Sequence, residues 1–180
     1  MFAIRNVKLS VHKKISDLFT APPNNPDTGT PYLPIAYNVY NEDNYQNDAF
    51  DPTPPFVFIL MSRVPPKKTR LPCIIMEFAD FPNIQYELGT RRGMDPQVIL
   101  HIFARNRGER DDMSGYIRLA LTDYVGITLY DWTAGPVTKY TGQIGNDIDV
   151  QEQTIGPDIG LEGSLLNWVT VSFSLPFLKE

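Results

Sequence analysis

The chain has 180 residues, 42% of them hydrophobic and 21% charged, with a net charge of −5, 16 prolines and one cysteine. That length supports one domain with a core that needs no metal or disulfide staple, and a lone cysteine permits no intramolecular disulfide framework. No run approaches the roughly 18 apolar residues of a membrane span, the N-terminal MFAIRNVKLSVHKK does not read as a signal peptide, and the net acidity leaves no chain-wide basic surface for nucleic acid.

Residues 4–19, IRNVKLSVHKKISDLF, place Ile4, Val7, Val11, Ile15, Leu18 and Phe19 at helical spacing, which predicts an amphipathic helix. TAPPNNP ends it. Residues 20–55 are rich in proline and tyrosine and hold no lysine or arginine. Their composition opposes helix, and their tyrosines oppose a purely solvated linker. They are expected to form an extended arm that docks on something, or a large surface loop of the same subunit, with LPIAYNVY as one strand.

FVFILMS (56–62), PCIIMEFA (72–79) and QVILHIFA (97–104) are apolar runs of strand length. They fit an antiparallel sheet with one well-covered face. Between the last two, IQYEL is a candidate extension of the ladder, and GTRRGMD forms a basic turn with Arg91 and Arg92, either a solvated tip or a grip on one anionic group. Met113, Tyr116, Ile117, Ala120, Leu121, Tyr124 and Val125 then predict a helix over 107–125. Asn106 is its N-cap, Glu109 stands three residues on as in a capping box, and Gly126 follows its end. ITLYDW (127–132) is a strand. Residues 133–163 are glycine-rich, a loop or hairpin insertion in which VTKYTG and DIDVQEQTI could pair. NWVTVSFSLPF (167–177) alternates, with Val169, Val171, Phe173 and Leu175 on one face. The sum is a single α+β domain over 1–180: a mixed or mostly antiparallel sheet of about five to six strands, two main helices packed on one face, and extended loops.

Little in the chain points to catalysis. GxSxG, CxxC, HxxxH and GxxxxGK[ST] do not occur. Cys73 is expected to be a small buried hydrophobe, and His12 lies on the polar side of the first helix. His101, on the strand face shared with Ile99 and Phe103, is either a satisfied sheet histidine or a general base with an acid such as Glu77 or Asp80. The acids Glu109, Asp111 and Asp112 are what a first helical turn favours against its dipole, and no EF-hand loop frames them as metal ligands. No cofactor or metal is expected. The stretch RNRGERDD therefore reads first as a capped helix start. Arg105, Arg107 and Arg110, beside Glu109, Asp111 and Asp112, would also satisfy each other across a repeated interface, since arginine forks favour carboxylates.

The order of elements is familiar. A strand running through FARNRGERDD into MSGYIRLALTDYV, within VILHIFARNRGERDDMSGYIRLALTDYV (98–125), together with the helix at 4–19, resembles the tail-terminator (tail-completion) proteins of tailed bacteriophages. These segments cover about a quarter of the chain. The segments 20–55 and 133–163 are longer than that pattern leads one to expect, as arms reaching neighbouring proteins would be. The resemblance implies a non-enzymatic virion protein, assembled in the host cytoplasm, that forms a ring, usually a hexamer. The ring caps the head-proximal end of the tail tube and docks the head–tail connector or stopper protein. The tube protein, and in a contractile tail the sheath protein, would be partners, and DNA would pass only through the lumen. Arg91, Arg92, Arg105, Arg107, Glu109, Arg110, Asp111 and Asp112 are the expected inter-subunit or lumen contacts, from charge and placement alone. The alternatives are another neck, baseplate or minor tail component, a small α+β enzyme using His101, or an anion-binding module using Arg91 and Arg92.

Overall fold

The amphipathic stripe near the N-terminus forms α1, Ile4–Thr20, and it meets a sheet built by strands distant in sequence. The computed structural model describes residues 4–62, 67–79, 83–85, 92–94, 97–123, 127–132, 138–144, 150–153, 167–174 and 177–178. After α1 come β1 (Asn38–Tyr40), α2 (Glu42–Asn47), β2 (Phe56–Leu60), β3 (Cys73–Phe78), β4 (Asn83–Gln85), β5 (Arg92–Met94), β6 (Gln97–Ala104) and α3 (Arg107–Asp123). Then follow β7 (Ile127–Asp131), β8 (Thr138–Ile144), β9 (Val150–Gln153), β10 (Asn167–Ser174) and β11 (Phe177–Leu178).

The main sheet has six strands in the order β1-β2-β3-β6-β10-β9. β1, β2 and β3 are mutually parallel, whereas β3–β6, β6–β10 and β10–β9 are antiparallel, so the sheet is mixed and the protein is α+β. Strand alternation turns Val57, Ile59, Ile74, Met76, Leu100, Ile102, Val169 and Val171 to one face. There they close a core with Val7, Val11, Ile15, Leu18 and Phe19 of α1 and Met113, Tyr116, Ile117, Ala120 and Leu121 of α3. Several of the polar groups this buries are tied across elements. The Tyr116 hydroxyl donates to the Leu18 carbonyl, Ser10 Oγ accepts from the Tyr130 amide at 2.9 Å, and Asn6 Nδ2 donates to Asp131 Oδ1 at 3.2 Å. The last two fasten α1 to β7.

The opposite face carries a second, aromatic core of Tyr45, Phe56, Phe58, Leu60, Leu71, Cys73 and Ile75. Its lid is part of the segment expected as an arm or a large loop of the same subunit, and the second alternative describes it. β1 pairs with β2, and Tyr32, Leu33, Tyr37 and Val39 pack on the first core. Asn41 caps α2 so that Tyr45 is wholly buried. Arg70 is buried too. Its guanidinium lies 4.2 Å from the centre of the Phe50 ring, pairs with Asp48 and donates to the Asn44 carbonyl at 3.4 Å. Residues 32–50 are thus held by their own subunit. Cys73 is fully buried, and desolvation pushes its thiol up to about 12.

Three expectations about strand pairing are overturned. β2 and β3 pair in parallel rather than antiparallel, so the chain between them crosses over instead of turning back as a hairpin. VTKYTG and DIDVQEQTI do not pair with each other: β8 pairs with β7, and β9 joins the main sheet beside β10. Local turn chemistry suggested the hairpin, but β8 turns back on the strand before it and β9 pairs with the later β10. The IQYEL region does not extend the main ladder either; β4 lies in a separate sheet of order β11-β5-β4.

Candidate functional site

β6 ends at Ala104 and α3 starts at Arg107, so two residues carry the chain from the middle of the sheet into the helix. Asn106 Oδ1 accepts from the Glu109 amide at 2.9 Å, which makes it the N-cap. The Glu109 carboxylate reaches back to the Arg105 amide at 2.7 Å, one residue further out than in a capping box, and also receives Arg105 Nε at 3.2 Å. Replacing Asn106 with alanine should therefore cost about 1 kcal/mol of stability, read from a chemical-unfolding midpoint, with no change in fold.

The arginines divide into distinct environments. Arg105 lies over the Phe56 ring, 5.4 Å from its centre, which ties the turn to the start of β2. Arg110 is only 12% exposed and its fork meets Asp111 at 2.6 Å. Arg107 is 82% exposed, 3.7 Å from Asp111, and extends into solvent. Exposed pairs of this kind contribute little to stability, about 0–1 kcal/mol each. Arg91 lies outside the described residues. Arg92 opens β5, opposite Gln85, rather than sitting in a loop, and its side chain also lies outside them. The expected anion grip and the convergence of these two with the α3 arginines both fall there.

The loop before β1 lies against this helix start. Burial raises the Tyr37 phenol above its ordinary value, and the carboxylates of Glu109 and Asp112 act in the same direction against Arg105. Two residues earlier Ile35 is 61% exposed, in a segment held by the Tyr37 amide on the Phe19 carbonyl at 2.8 Å and the Tyr32 amide on the Pro23 carbonyl at 3.0 Å. An exposed aliphatic side chain on an anchored segment suits contact with another protein. Sequence reasoning missed Ile35, because nothing in PYLPIAYNVY distinguishes it from Leu33 and Val39, which pack on the core.

Other candidate chemistry is placed as follows. His101 Nε2 lies 3.0 Å from Glu77 Oε2 on the neighbouring strand, and its ring is 5.5 Å from that of Trp168, which stacks on Phe103. Asp80 lies outside the described residues. His12 Nε2 contacts the Ile59 carbonyl at 3.2 Å, a bond that occupies β2 where β1 has ended. A cavity of about 190 Å³ between α1 and β7 is lined by Lys13, Lys14, Asp17 and Tyr130, among others. Its carboxylate, Asp17, is held by Lys13 at 2.7 Å, and desolvation lowers the Lys14 ammonium. Among the described residues no group of three or more histidines, cysteines and acids converges as a metal site, and no helix is long and apolar enough to cross a membrane. No protein-family model matches the chain, and no curated protein matches it significantly.

Proposed function

We propose that this chain is a structural protein of a tailed phage: a tail terminator whose ring, most simply a hexamer, closes the head-proximal end of the tail tube and joins it to the head connector. The observation that carries the reading is the direct passage of β6 into the capped α3, which sets the Arg105–Asp112 charges at one end of the sheet. A surface of fixed backbone and mixed charge can orient a neighbour. Subunits that meet through two unlike faces close into rings. Partners on this reading are other copies of the chain, the tube protein and the connector, with DNA passing only through the lumen.

The test is mass by light scattering, alone and with tail tubes polymerised from the tube protein of the same virus, with negative-stain images of each peak. The expected result is a closed ring, free or seated on tube ends, that stops tube growth. A monomer at every concentration that neither binds tube ends nor limits their length overturns it. That outcome would move the reading to the His101–Glu77 pair and a substrate screen.

A further inference from the structure

The outward face of α3 is left exposed. Its residues Asp111, Asp112, Arg118, Leu119 and Thr122 are exposed, while Met113, Tyr116, Ile117, Ala120 and Leu121 on the other side form the core. Leu119 is 46% exposed, one of three large hydrophobic side chains left in solvent among the described residues. Gly115, at the middle of this face, has open space where a Cβ would stand. Arg105, Arg107 and Arg110 are matched by Glu109 and Asp111, but Asp112 and Arg118 have no ion-pair partner among the described residues. They cannot meet each other. Being six residues apart, they stand about 60° to either side of Gly115 and about 4.5 Å above and below it.

That arrangement is complementary to itself. We propose that two copies of the chain associate through this face, α3 crossing α3 of the second copy at a steep angle over Gly115 about a twofold axis. The symmetry that places Asp112 of one copy on Arg118 of the other forms the same pair a second time. It also brings Leu119 close to the axis, where it meets Leu119 of the second copy. Without a Cβ at residue 115 the two helices can approach closely. A twofold contact of this kind differs in symmetry from the unlike faces that close a ring; it shares only Asp112 with the charged turn, draws otherwise on Leu119 and Arg118, and does not depend on the function proposed above.

The experiment has two arms, both on the full chain. In the first, Leu119→Cys is oxidised at a concentration where wild type shows a dimer by sedimentation. A covalent dimer is expected in high yield, because each copy presents the residue to itself across the axis; the buried Cys73 does not compete. In the second, Asp112→Arg and Arg118→Asp are made singly and together. Each single change should weaken dimerisation at least tenfold, and the double change should restore it, since both pairs re-form with signs exchanged. Melting temperature checks that every variant is folded, as expected for exposed positions. A wild-type chain that stays monomeric up to millimolar concentration overturns the proposal. So do single variants that dimerise as wild type does, or a double variant no better than the singles. Rings that assemble normally while these changes have no effect would remove this contact and leave the ring reading standing.

Discussion

Tyr45→Ala should destabilise the protein by about 3–5 kcal/mol, the range for deleting a fully buried aromatic side chain. Tyr45 is wholly buried, packs edge-on to Phe58 with ring centres 5.1 Å apart, and its hydroxyl accepts the Lys67 amide at 2.7 Å. The ring fills the space between α2 and the aromatic face of β2 and β3, a site the neighbouring Phe50 and Arg70 cannot collapse into without giving up their own stack. Tyr45→Phe keeps the ring and loses one hydrogen bond, so about 0.5–1.5 kcal/mol is expected. Urea unfolding with a common slope measures both. A cost below about 1 kcal/mol for the alanine variant would show that residues 41–50 do not belong to the cooperative core and that the segment is an arm after all.

Ile117→Asp should leave no cooperatively folded protein. Ile117 is wholly buried at the centre of the core that α1, α3 and the sheet share. A carboxylate there would have no cation to meet, and its desolvation exceeds the total stability of an ordinary domain unless it takes up a proton. The matched control is one residue away: Arg118→Asp, on the exposed side of the same helix turn, should melt within a few degrees of wild type. Circular dichroism with a thermal scan separates the two outcomes. If Ile117→Asp remained folded, α3 would have to be detachable from the sheet.

These two positions also show how far the sequence could be read. α3 was legible because its stripe obeys one local rule, period 3.6 with a cap before it and an acid in its first turn. The strands β2, β3, β6 and β10 were legible for the same reason, since runs and alternation are local. Their pairing was not. Whether VTKYTG joins DIDVQEQTI or β7 depends on contacts outside both segments, and the hydrophobic pattern alone does not rank them. The lid over the second core was missed because its anchors look like something else in one dimension. Tyr45 sits in a run of polar residues that reads as loop, and Arg70 ends a basic turn that reads as solvated; only the fold brings them to Phe50 and Phe58. Of the candidate site, the capped helix start followed directly from Asn106 and Glu109. The division of labour among Arg105, Arg107 and Arg110 did not, because it is set by Phe56 and Asp111 and by which side of the turn faces the sheet.

The two-residue link between β6 and α3 has a mechanical consequence. A load applied at Arg107 has almost no slack to take up, and it passes as tension along β6. That strand is gripped on both sides, by six register pairs with β3 and eight with β10, all antiparallel. Their hydrogen bonds lie across the strand direction. A pull along β6 therefore strains all of them together rather than peeling them one by one. The molecule is strongest along the line that joins its charged surface to the middle of its sheet.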